Sequence, residues 1–216
     1  MRKILVSLVI LGLTCSSAFA LKNTNPTTDG PFRSYYPSGA LLREDTFKFQ
    51  QLDGVSMEYY ESGALKVVMH YVKGSREGDV KAYYESAILQ SEGYYKNNEL
   101  QGSFRQYNKE GQLDKEENYE AGVLNGPATL YYPSGALRKQ MQYVNAVLDG
   151  TAIEYYESGQ IKAQEIYRNG VLVDRKISEQ TEKLVSQVTP PPTDVKSGKP
   201  ASKTTAAPTI KDAAKK

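Results

Sequence analysis

Residues 54–77 read GVSMEYYESGALKVVMHYVKGSRE, and this stretch decides the fold because it recurs along the chain. Its two extended runs, 54–60 and 64–72, are rich in aromatic and β-branched residues, which favour strands. The turn residues Glu61-Ser62-Gly63 separate the runs, and Lys73-Gly74 follows the second one. Glycine at these places supplies the positive φ that a tight hairpin turn needs. The stretch therefore predicts one β-hairpin.

The hairpin pattern repeats with a fixed period of 24 residues. Three columns of residues follow this period without slippage: a first tyrosine, a leucine or isoleucine, and a third aromatic position. The first column is Tyr35, Tyr59, Tyr83, Tyr107, Tyr131 and Tyr155, and the third is Phe47, Tyr71, Tyr95, Tyr119, Tyr143 and Tyr167. Six units result, at 30–53, 54–77, 78–101, 102–125, 126–149 and 150–173.

This periodicity predicts an all-β fold, an elongated single-layer antiparallel β-meander (a solenoid of six hairpins). At about 4.8 Å per strand, the ribbon would be on the order of 55 to 60 Å long. One hairpin cannot bury its apolar surface alone, so stability must come from stacked neighbours. We expect each periodic column to meet its own copy one repeat along. The position of Met69 varies between repeats, which argues against a second layer.

Several positions depart from the consensus at a turn or in a column. Ala87 replaces the turn glycine of the third repeat, and an alanine at positive φ costs about 1 kcal/mol or more. We therefore expect Ala87→Gly to stabilise the protein. Asn98 and Ala146 replace the glycine of the turn between hairpins, and Asn108 replaces the second tyrosine of the fourth repeat.

The first twenty residues predict a secretory signal peptide. Arg2 and Lys3 precede an uncharged apolar run, and Ala18-Phe19-Ala20 provides small residues before a cleavage site. The expected location is therefore the periplasm or the extracellular medium. Cys15 lacks the small residue that a lipobox places immediately before its cysteine, so we do not expect a lipoprotein. Cleavage after Ala20 would leave a mature chain without cysteine.

Segments flanking the repeats have different compositions. Residues 21–29 are interpreted as a polar linker. Residues 174–189 carry a partial apolar stripe and predict a short helix that caps the last repeat, with a partner-binding helix as the alternative. Residues 190–216 contain six Lys and two Asp among Pro, Thr and Ala, and predict a disordered basic tail. The repeats themselves carry no basic face of the kind that binds nucleic acid.

The residue types needed for catalysis are scarce. His70 is the single histidine, and its equivalents in the other repeats are not histidine. Glu61, Glu85 and Glu157 share one turn position, whereas an active site is made only once. No metal or cofactor motif occurs either. The sequence therefore predicts a protein that is not an enzyme, has no cofactor and binds no metal.

The second tyrosine of each unit is the candidate binding feature. It follows the first tyrosine directly, so strand alternation points it to the opposite face of the sheet. Tyrosine offers contact area, a polar tip and little loss of side-chain entropy. The candidate aromatic face consists of Tyr36, Tyr60, Tyr84, Tyr132 and Tyr156. The alternative is that both tyrosine columns merely pack the two sides of the ribbon.

The unit resembles the variant MORN repeat, as Tyr131-Tyr-Pro-Ser-Gly-Ala-Leu137 followed by Tyr143 and Gly150 illustrates. Bacterial proteins with this repeat are often labelled YwqK-family antitoxins. The resemblance covers residues 30–173 and implies β-hairpin units in an elongated sheet, used for protein–protein contact, membrane association or self-assembly. The usual unit carries tryptophan, whereas this chain has none.

These observations predict a non-enzymatic exported repeat protein that acts as a protein–protein interaction scaffold, with an antitoxin-like or immunity-like role as one form. A second hypothesis is a binder of envelope polymers or anionic lipids that uses the tyrosine groove and the basic tail. A hydrolase with an unrecognised carboxylate pair is the third. Exposed end strands also suggest self-association through sheet edges.

Overall fold

The computed structural model describes residues 28–178 as one antiparallel sheet whose strands follow each other in chain order. Thirteen strands form the continuous path, and the two-residue strands β7 and β12 pair with β6 and β11 at its margin. The strands are β1 (Gly30–Tyr35), β2 (Leu41–Lys48), β3 (Gln51–Tyr59), β4 (Leu65–Val72), β5 (Ser75–Tyr83), β6 (Leu89–Lys96), β7 (Glu99–Leu100), β8 (Gly102–Tyr107), β9 (Leu113–Glu120), β10 (Val123–Tyr131), β11 (Leu137–Val144), β12 (Val147–Leu148), β13 (Gly150–Tyr155), β14 (Ile161–Arg168) and β15 (Val171–Ile177).

The prediction of an all-β meander of six hairpin repeats is confirmed. Every pair of neighbouring strands is antiparallel, and each repeat contributes two long strands joined by a short turn. One edge of the ribbon is formed by the turns inside the repeats, which follow the second tyrosine. We call it the tyrosine edge. The turns between repeats form the opposite, inter-repeat edge, at 49–50, 73–74, 97–98, 121–122, 145–146 and 169–170.

The predicted capping helix is wrong at its start, because residues 174–177 belong to strand β15. Leu172 pairs with Tyr167 just as Leu52 pairs with Phe47. Residues 171–177 are therefore the first strand of an incomplete seventh unit, which satisfies the backbone groups of β14. Residues 179–189 of the predicted helix, the basic tail, the signal peptide and linker residues 21–27 lie outside the described residues.

The buried side chains all lie on one face of the sheet, which we call the packed face. Strand alternation and register place on it every residue that is less than a tenth exposed. They are Phe47, Ser56, Val80, Ala82, Tyr95, Leu100, Phe104, Tyr119, Ala128, Ala152 and Ala163. A cluster of five of them, centred on the third and fourth repeats, forms the apolar core.

Small and large side chains alternate across the packed face, which allows burial without a second layer. Ala128 and Ala152, each 1 % exposed, lie on either side of Met141 in the sheet. At the third repeat the order reverses, and Gly93 makes room for Phe104. A Cβ atom on Gly93 would stand 2.6 Å from Phe104 Cδ2. The residue at the variable Met69 position is thus matched to its neighbour in the next repeat.

The expected aromatic spine is present only in part. Third-column aromatics such as Tyr95 and Tyr119 are buried, but each lies opposite Leu100 or Leu124 of the following strand and not against its own copy. First-column tyrosines lie on the other face, which we call the open face. The prediction that this column packs in the spine was wrong, because strand alternation places Tyr59 and its equivalents on the face opposite to that of Ser56 and Tyr71.

Ala87 adopts the conformation of the glycine that it replaces in the turn. Its φ is 63°, and the turn keeps the hydrogen bonds of the glycine turns, with Ala87 N 2.8 Å from Tyr84 O. On the inter-repeat edge two consecutive residues have positive φ in each turn, as at Asn97 and Asn98. This pair of values is typical of a type I′ hairpin turn.

Candidate functional site: the tyrosine edge

The second-column tyrosines form a ladder along the tyrosine edge. Each hydroxyl donates to the backbone carbonyl oxygen of the first-column tyrosine one repeat further along. The four bonds run from Tyr36 to Tyr59 (2.7 Å), Tyr60 to Tyr83 (2.9 Å), Tyr84 to Tyr107 (2.9 Å) and Tyr132 to Tyr155 (2.8 Å). Tyr156 stands at the same turn position in the last complete repeat. The five predicted site residues therefore share one edge, and Tyr36, Tyr60, Tyr84 and Tyr132 share one repeated hydrogen bond.

The rings of this ladder are half-buried: part of each ring contacts the protein, and part is exposed to solvent. Burial raises the pKa of Tyr36, Tyr60 and Tyr84 above the ordinary value of 10.0. The hydroxyls consequently remain protonated donors at neutral pH. The ladder both joins the repeats and fixes the rings in one orientation.

Basic side chains accompany the ladder in some repeats. Lys66 Nζ lies 5.7 Å from the centre of the Tyr60 ring and 2.6 Å from Glu58 Oε1. The equivalent Lys162 donates to Glu154 Oε1 at 2.7 Å. A cation at this distance is attracted by the electron-rich ring face. These two lysines add a positive charge to the tyrosine edge in the second and sixth repeats, and each is held in place by a carboxylate of the packed face.

The ladder is interrupted at Asn108. Its side chain stays within its own turn, where Nδ2 donates to Gln112 Oε1 and Oδ1 accepts from Glu110 N and Gln112 N. A cleft of about 550 Å³ opens beside it, lined by Tyr84, Gln90, Ser91, Phe104, Gln106, Tyr107, Asn108, Lys109, Glu110 and Asp114. The sequence shows the missing tyrosine but gives no sign of the cleft.

The first-column tyrosines use their hydroxyls on the open face. Tyr107 donates to Glu92 Oε1 and Tyr155 to Gln140 Oε1, each at 2.8 Å, across to the preceding repeat. Tyr35, at the start of the array, is 53 % exposed. The two tyrosine columns thus point to opposite faces, as the sequence predicts, and both connect successive repeats.

A second ladder on the inter-repeat edge was missed by the sequence analysis. Backbone N–H groups of the turns donate to a carbonyl 22 residues earlier, as Gly122 does to Leu100 at 2.9 Å and Gly170 to Leu148 at 2.9 Å. Side chains 20 residues earlier accept from the preceding N–H. These acceptors are Asp29, Asp53, Glu77, Gln101 and Asn125. The available signal was the acid or amide that precedes each periodic glycine.

Phe49 is the most unusual residue of the inter-repeat edge. It is 87 % exposed and has a φ of 48°, a conformation that costs a bulky side chain energy. Asn97, Asn145 and Asn169 stand at the same turn position in other repeats, and asparagine adopts this conformation readily. Lys48 precedes Phe49 directly, and Lys73 occupies the equivalent tip of the next repeat. The tip is therefore basic and aromatic.

Three carboxylates lie on the packed face at the variable position of Met69, and each forms an ion pair with a basic side chain. Asp45 pairs with Arg43 at 2.8 Å, Glu117 with Lys115 at 3.0 Å, and Glu165 with Arg175 at 3.3 Å. The carboxylates Glu61, Glu85 and Glu157 are exposed at turn tips. Glu117 and Glu165 are separated by four strand spacings, or roughly 19 Å, which is more than the ~5–9.5 Å of paired glycosidase carboxylates.

His70 lies at the bulge between β4 and β5. Its Nδ1 lies 3.0 Å from the carbonyl oxygen of Asp79, and the ring covers Gly78, where a Cβ would stand 3.1 Å from His70 Cβ. Between residues 28 and 178, no group of three or more His, Cys, Asp or Glu side chains is placed to hold a metal ion. Over the same residues, no helix has the length and apolarity to cross a membrane.

The fold and both ladders define a class of protein, the single-sheet hairpin-repeat proteins whose units bind their neighbours. The chain belongs to the family of the MORN repeat variant, whose model matches residues 28–49, 52–73, 76–97, 100–121, 124–145 and 148–169. MORN repeats are generally involved in binding proteins or membrane lipids. No protein with a curated description matches this chain.

Comparison with solved structures adds no functional argument. A GtfA/B complex bound to UDP and GlcNAc is 13 % identical, with a TM-score of 0.22, over 76 % of this chain and 30 % of that one. The chain therefore spans less than a third of that protein. A protein of unknown function from Bacteroides fragilis is 12 % identical, with a TM-score of 0.13, over 71 % and 96 % of the two chains.

Proposed function

We propose that this protein is an exported, non-catalytic scaffold that binds a partner protein along the tyrosine edge. The row of half-buried second-column rings carries this proposal, because their hydroxyls are fixed by bonds of 2.7 to 2.9 Å to the next repeat. Rings already held in one orientation lose little conformational entropy when a partner covers them. The regular spacing suits an extended partner segment that contacts several repeats.

Family membership supports a protein or membrane-lipid ligand, and the N-terminal leader supports action outside the cytoplasm. Asp45, Glu117 and Glu165 are paired with cations, and the repeated Glu61, Glu85 and Glu157 are exposed at turn tips, which supports a role without catalysis. A protein partner in the envelope includes a toxin that the scaffold would neutralise, in an immunity-like role.

The test uses the full chain as bait for envelope proteins and reverses charges on one edge at a time. In Glu61→Lys/Glu157→Lys, two exposed tips beside the tyrosine rings change sign. The matched variant Glu99→Lys/Glu120→Lys makes the same change at exposed positions of the inter-repeat edge. We expect a specific partner to be lost from the first variant and retained by the second. Equal capture by both variants would contradict a binding site on the tyrosine edge.

A second candidate function, binding to anionic lipid surfaces, is favoured by Phe49. Phe49 is an exposed aromatic next to Lys48, and Lys73 stands at the equivalent tip of the next repeat. An apolar group that can insert is thus accompanied by basic residues that attract anionic headgroups. The basic segment 190–216 would add to this attraction. Here the inter-repeat edge, and not the tyrosine edge, would face the membrane.

A fluorescence experiment separates this candidate from the first, because the chain contains no tryptophan. Phe49→Trp places a single reporter at the basic tip, and Ala121→Trp places one at the equivalent tip beside Glu120. With phosphatidylglycerol vesicles, lipid binding predicts a blue shift of the tryptophan emission in Phe49→Trp alone, reduced by salt. No shift for either variant would exclude insertion at this tip.

A further inference from the structure

The interruption of the tyrosine ladder leaves a place that other repeats fill with a phenol. Tyr36, Tyr60, Tyr84 and Tyr132 each send a hydroxyl to the carbonyl oxygen 23 residues further on. The corresponding acceptor for the fourth repeat is the carbonyl of Tyr131. Within residues 28–178 no tyrosine hydroxyl spans this step, because Asn108 bonds inside its own turn.

The cleft adjoins this vacated place on the side of the third repeat, and its lining comes from the third and fourth repeats. Asp114 lines it and stands six residues after Asn108, just as Lys66 stands six residues after Tyr60 and lies beside that ring. The Tyr84 ring forms one wall, with the buried Phe104 contributing apolar surface. The volume of about 550 Å³ is within the range of small-ligand sites. The position and the walls therefore match those of an aromatic side chain.

The charge of the cleft differs from that of the filled sites. Where the second repeat has Lys66, the fourth has Asp114, and Glu110 lies on the same rim with the single cation Lys109. Burial raises the pKa of Tyr84, and the carboxylates of Asp114 and Glu110 raise it further. The negative potential at the Tyr84 wall favours a ligand with a positive charge next to its ring.

We propose that this cleft binds a tyrosine side chain of the partner protein, carried next to a basic residue in its sequence. The partner's phenol fills the cleft beside Asn108, against Tyr84 and Phe104, while the basic neighbour meets Asp114 and Glu110. This inference rests on the proposed function, since it names the group that the scaffold recognises. It also fixes the register of the partner, because the cleft interrupts an otherwise repetitive edge.

Three phenols of equal ring size and different charge test the site on the full-length protein. Tyramine is cationic, p-cresol neutral and 4-hydroxyphenylacetate anionic. Titrations followed by amide NMR shifts should place all binding at residues 84, 90–91, 104–110 and 114. We expect tyramine to bind about two- to fivefold more tightly than p-cresol, as one solvent-exposed ion pair permits. The anionic phenol should bind more weakly than p-cresol.

Asn108→Tyr is the decisive variant, because it supplies the missing ring from the chain itself. It should remove tyramine binding, whereas the matched variant Thr151→Tyr, on the exposed face of β13, should leave it unchanged. Tyramine binding that survives Asn108→Tyr, or no binding by the unaltered protein, would overturn the inference. In that case, partner capture that still depends on the tyrosine edge leaves the proposed function intact. Tyramine binding without any edge-dependent partner would contradict the proposed function, and with it the assignment of the ligand to a partner protein.

Discussion

The hydroxyl of Tyr60 donates a 2.9 Å hydrogen bond to the carbonyl oxygen of Tyr83, which lies one repeat further along the sheet. The same bond recurs at three other repeats, and a backbone ladder joins the repeats at the opposite edge. Because a single sheet has only one packed face, these edge contacts restrict how one hairpin can move against the next. The tyrosine edge is thus both a structural joint and the candidate binding surface.

Removing one hydroxyl of the ladder should lower stability without changing the fold. We expect Tyr60→Phe to reduce the free energy of unfolding by about 0.5–1.5 kcal/mol, the usual contribution of one hydrogen bond. Urea denaturation measures this change. Tyr94→Phe, at a tyrosine that is 41 % exposed on the open face, is the control and should have little effect. An equal loss of unfolding free energy in both variants would show that the ladder hydrogen bond contributes no more to stability than the hydroxyl of an exposed tyrosine.

Ala87 offers a stabilising substitution. Its φ of 63° is strained for alanine and unstrained for glycine, so Ala87→Gly should stabilise the protein by about 1 kcal/mol. The rise in melting temperature should be mirrored by a fall in Gly63→Ala, at the equivalent turn with a φ of 88°. A melting temperature that stays the same or drops in Ala87→Gly would contradict the assignment of strain to this turn.

Gly93 and Phe104 form a size-matched pair on the packed face. Gly93→Ala brings a Cβ to 2.6 Å from the Phe104 ring, so it should destabilise the protein by about 1–3 kcal/mol. Phe104→Leu in the same chain should recover part of this loss, and a double-mutant cycle measures the coupling. Purely additive effects would mean that the two residues do not compete for space.

Phe49 should lower the stability of the protein, because this bulky and exposed aromatic residue stands at a positive φ. Phe49→Asn fits the φ of 48° better and should raise the midpoint of thermal unfolding. If the basic tip binds lipid, the same change should weaken sedimentation with anionic vesicles. Asn97→Phe, the reverse change at the equivalent tip, should lower the midpoint. A lower midpoint for Phe49→Asn, or a higher midpoint for Asn97→Phe, would show that φ does not govern stability at these tips.

Alkaline pH should unfold the protein as its tyrosines ionise. Burial raises the pKa of the ladder residues Tyr36, Tyr60 and Tyr84 above 10.0, and burial with the adjacent Glu117 raises that of Tyr119. A raised pKa in the folded state contributes stability that is complete below the unfolded pKa and is lost as pH rises through the folded value. Tyrosinate absorbance and circular dichroism should therefore change together above pH 10. Ionisation near pH 10 with unchanged strand signal would be the contrary result.

The period of 24 residues was enough to predict the strands, the turns and their order, because each repeated column has a clear role in a hairpin. Ala87 illustrates this, since its required positive φ follows from its place in the turn column. The assignment of the tyrosine columns to opposite faces also follows from alternation. The start of the predicted helix was wrong, because residues 174–177 contain too few residues for a repeat pattern and pair with the edge that β14 leaves open.

Contacts between columns were beyond the reach of the sequence. Bulges at every repeat shift the register, so the hydrogen bond from Tyr60 to Tyr83 and the acceptor role of Asp53 depend on distances that spacing does not provide. The cleft at Asn108 likewise depends on the direction in which that side chain turns. The sequence also could not show that the third-column aromatics pack against leucines and not against each other, because these contacts depend on the same register shifts.

Hydrogen exchange at the inter-repeat edge tests the central claim most directly, namely that both edge ladders lock successive repeats together. The N–H groups of the turn residues Gly74, Asn98, Gly122, Ala146 and Gly170 lie at hairpin tips, where amides normally exchange rapidly, yet each donates to the preceding repeat. We predict that they are protected as strongly as amides within β5 and β10, and that Tyr60→Phe weakens protection in the second and third repeats first. Tip amides that exchange at the rate of an unfolded chain would contradict this account.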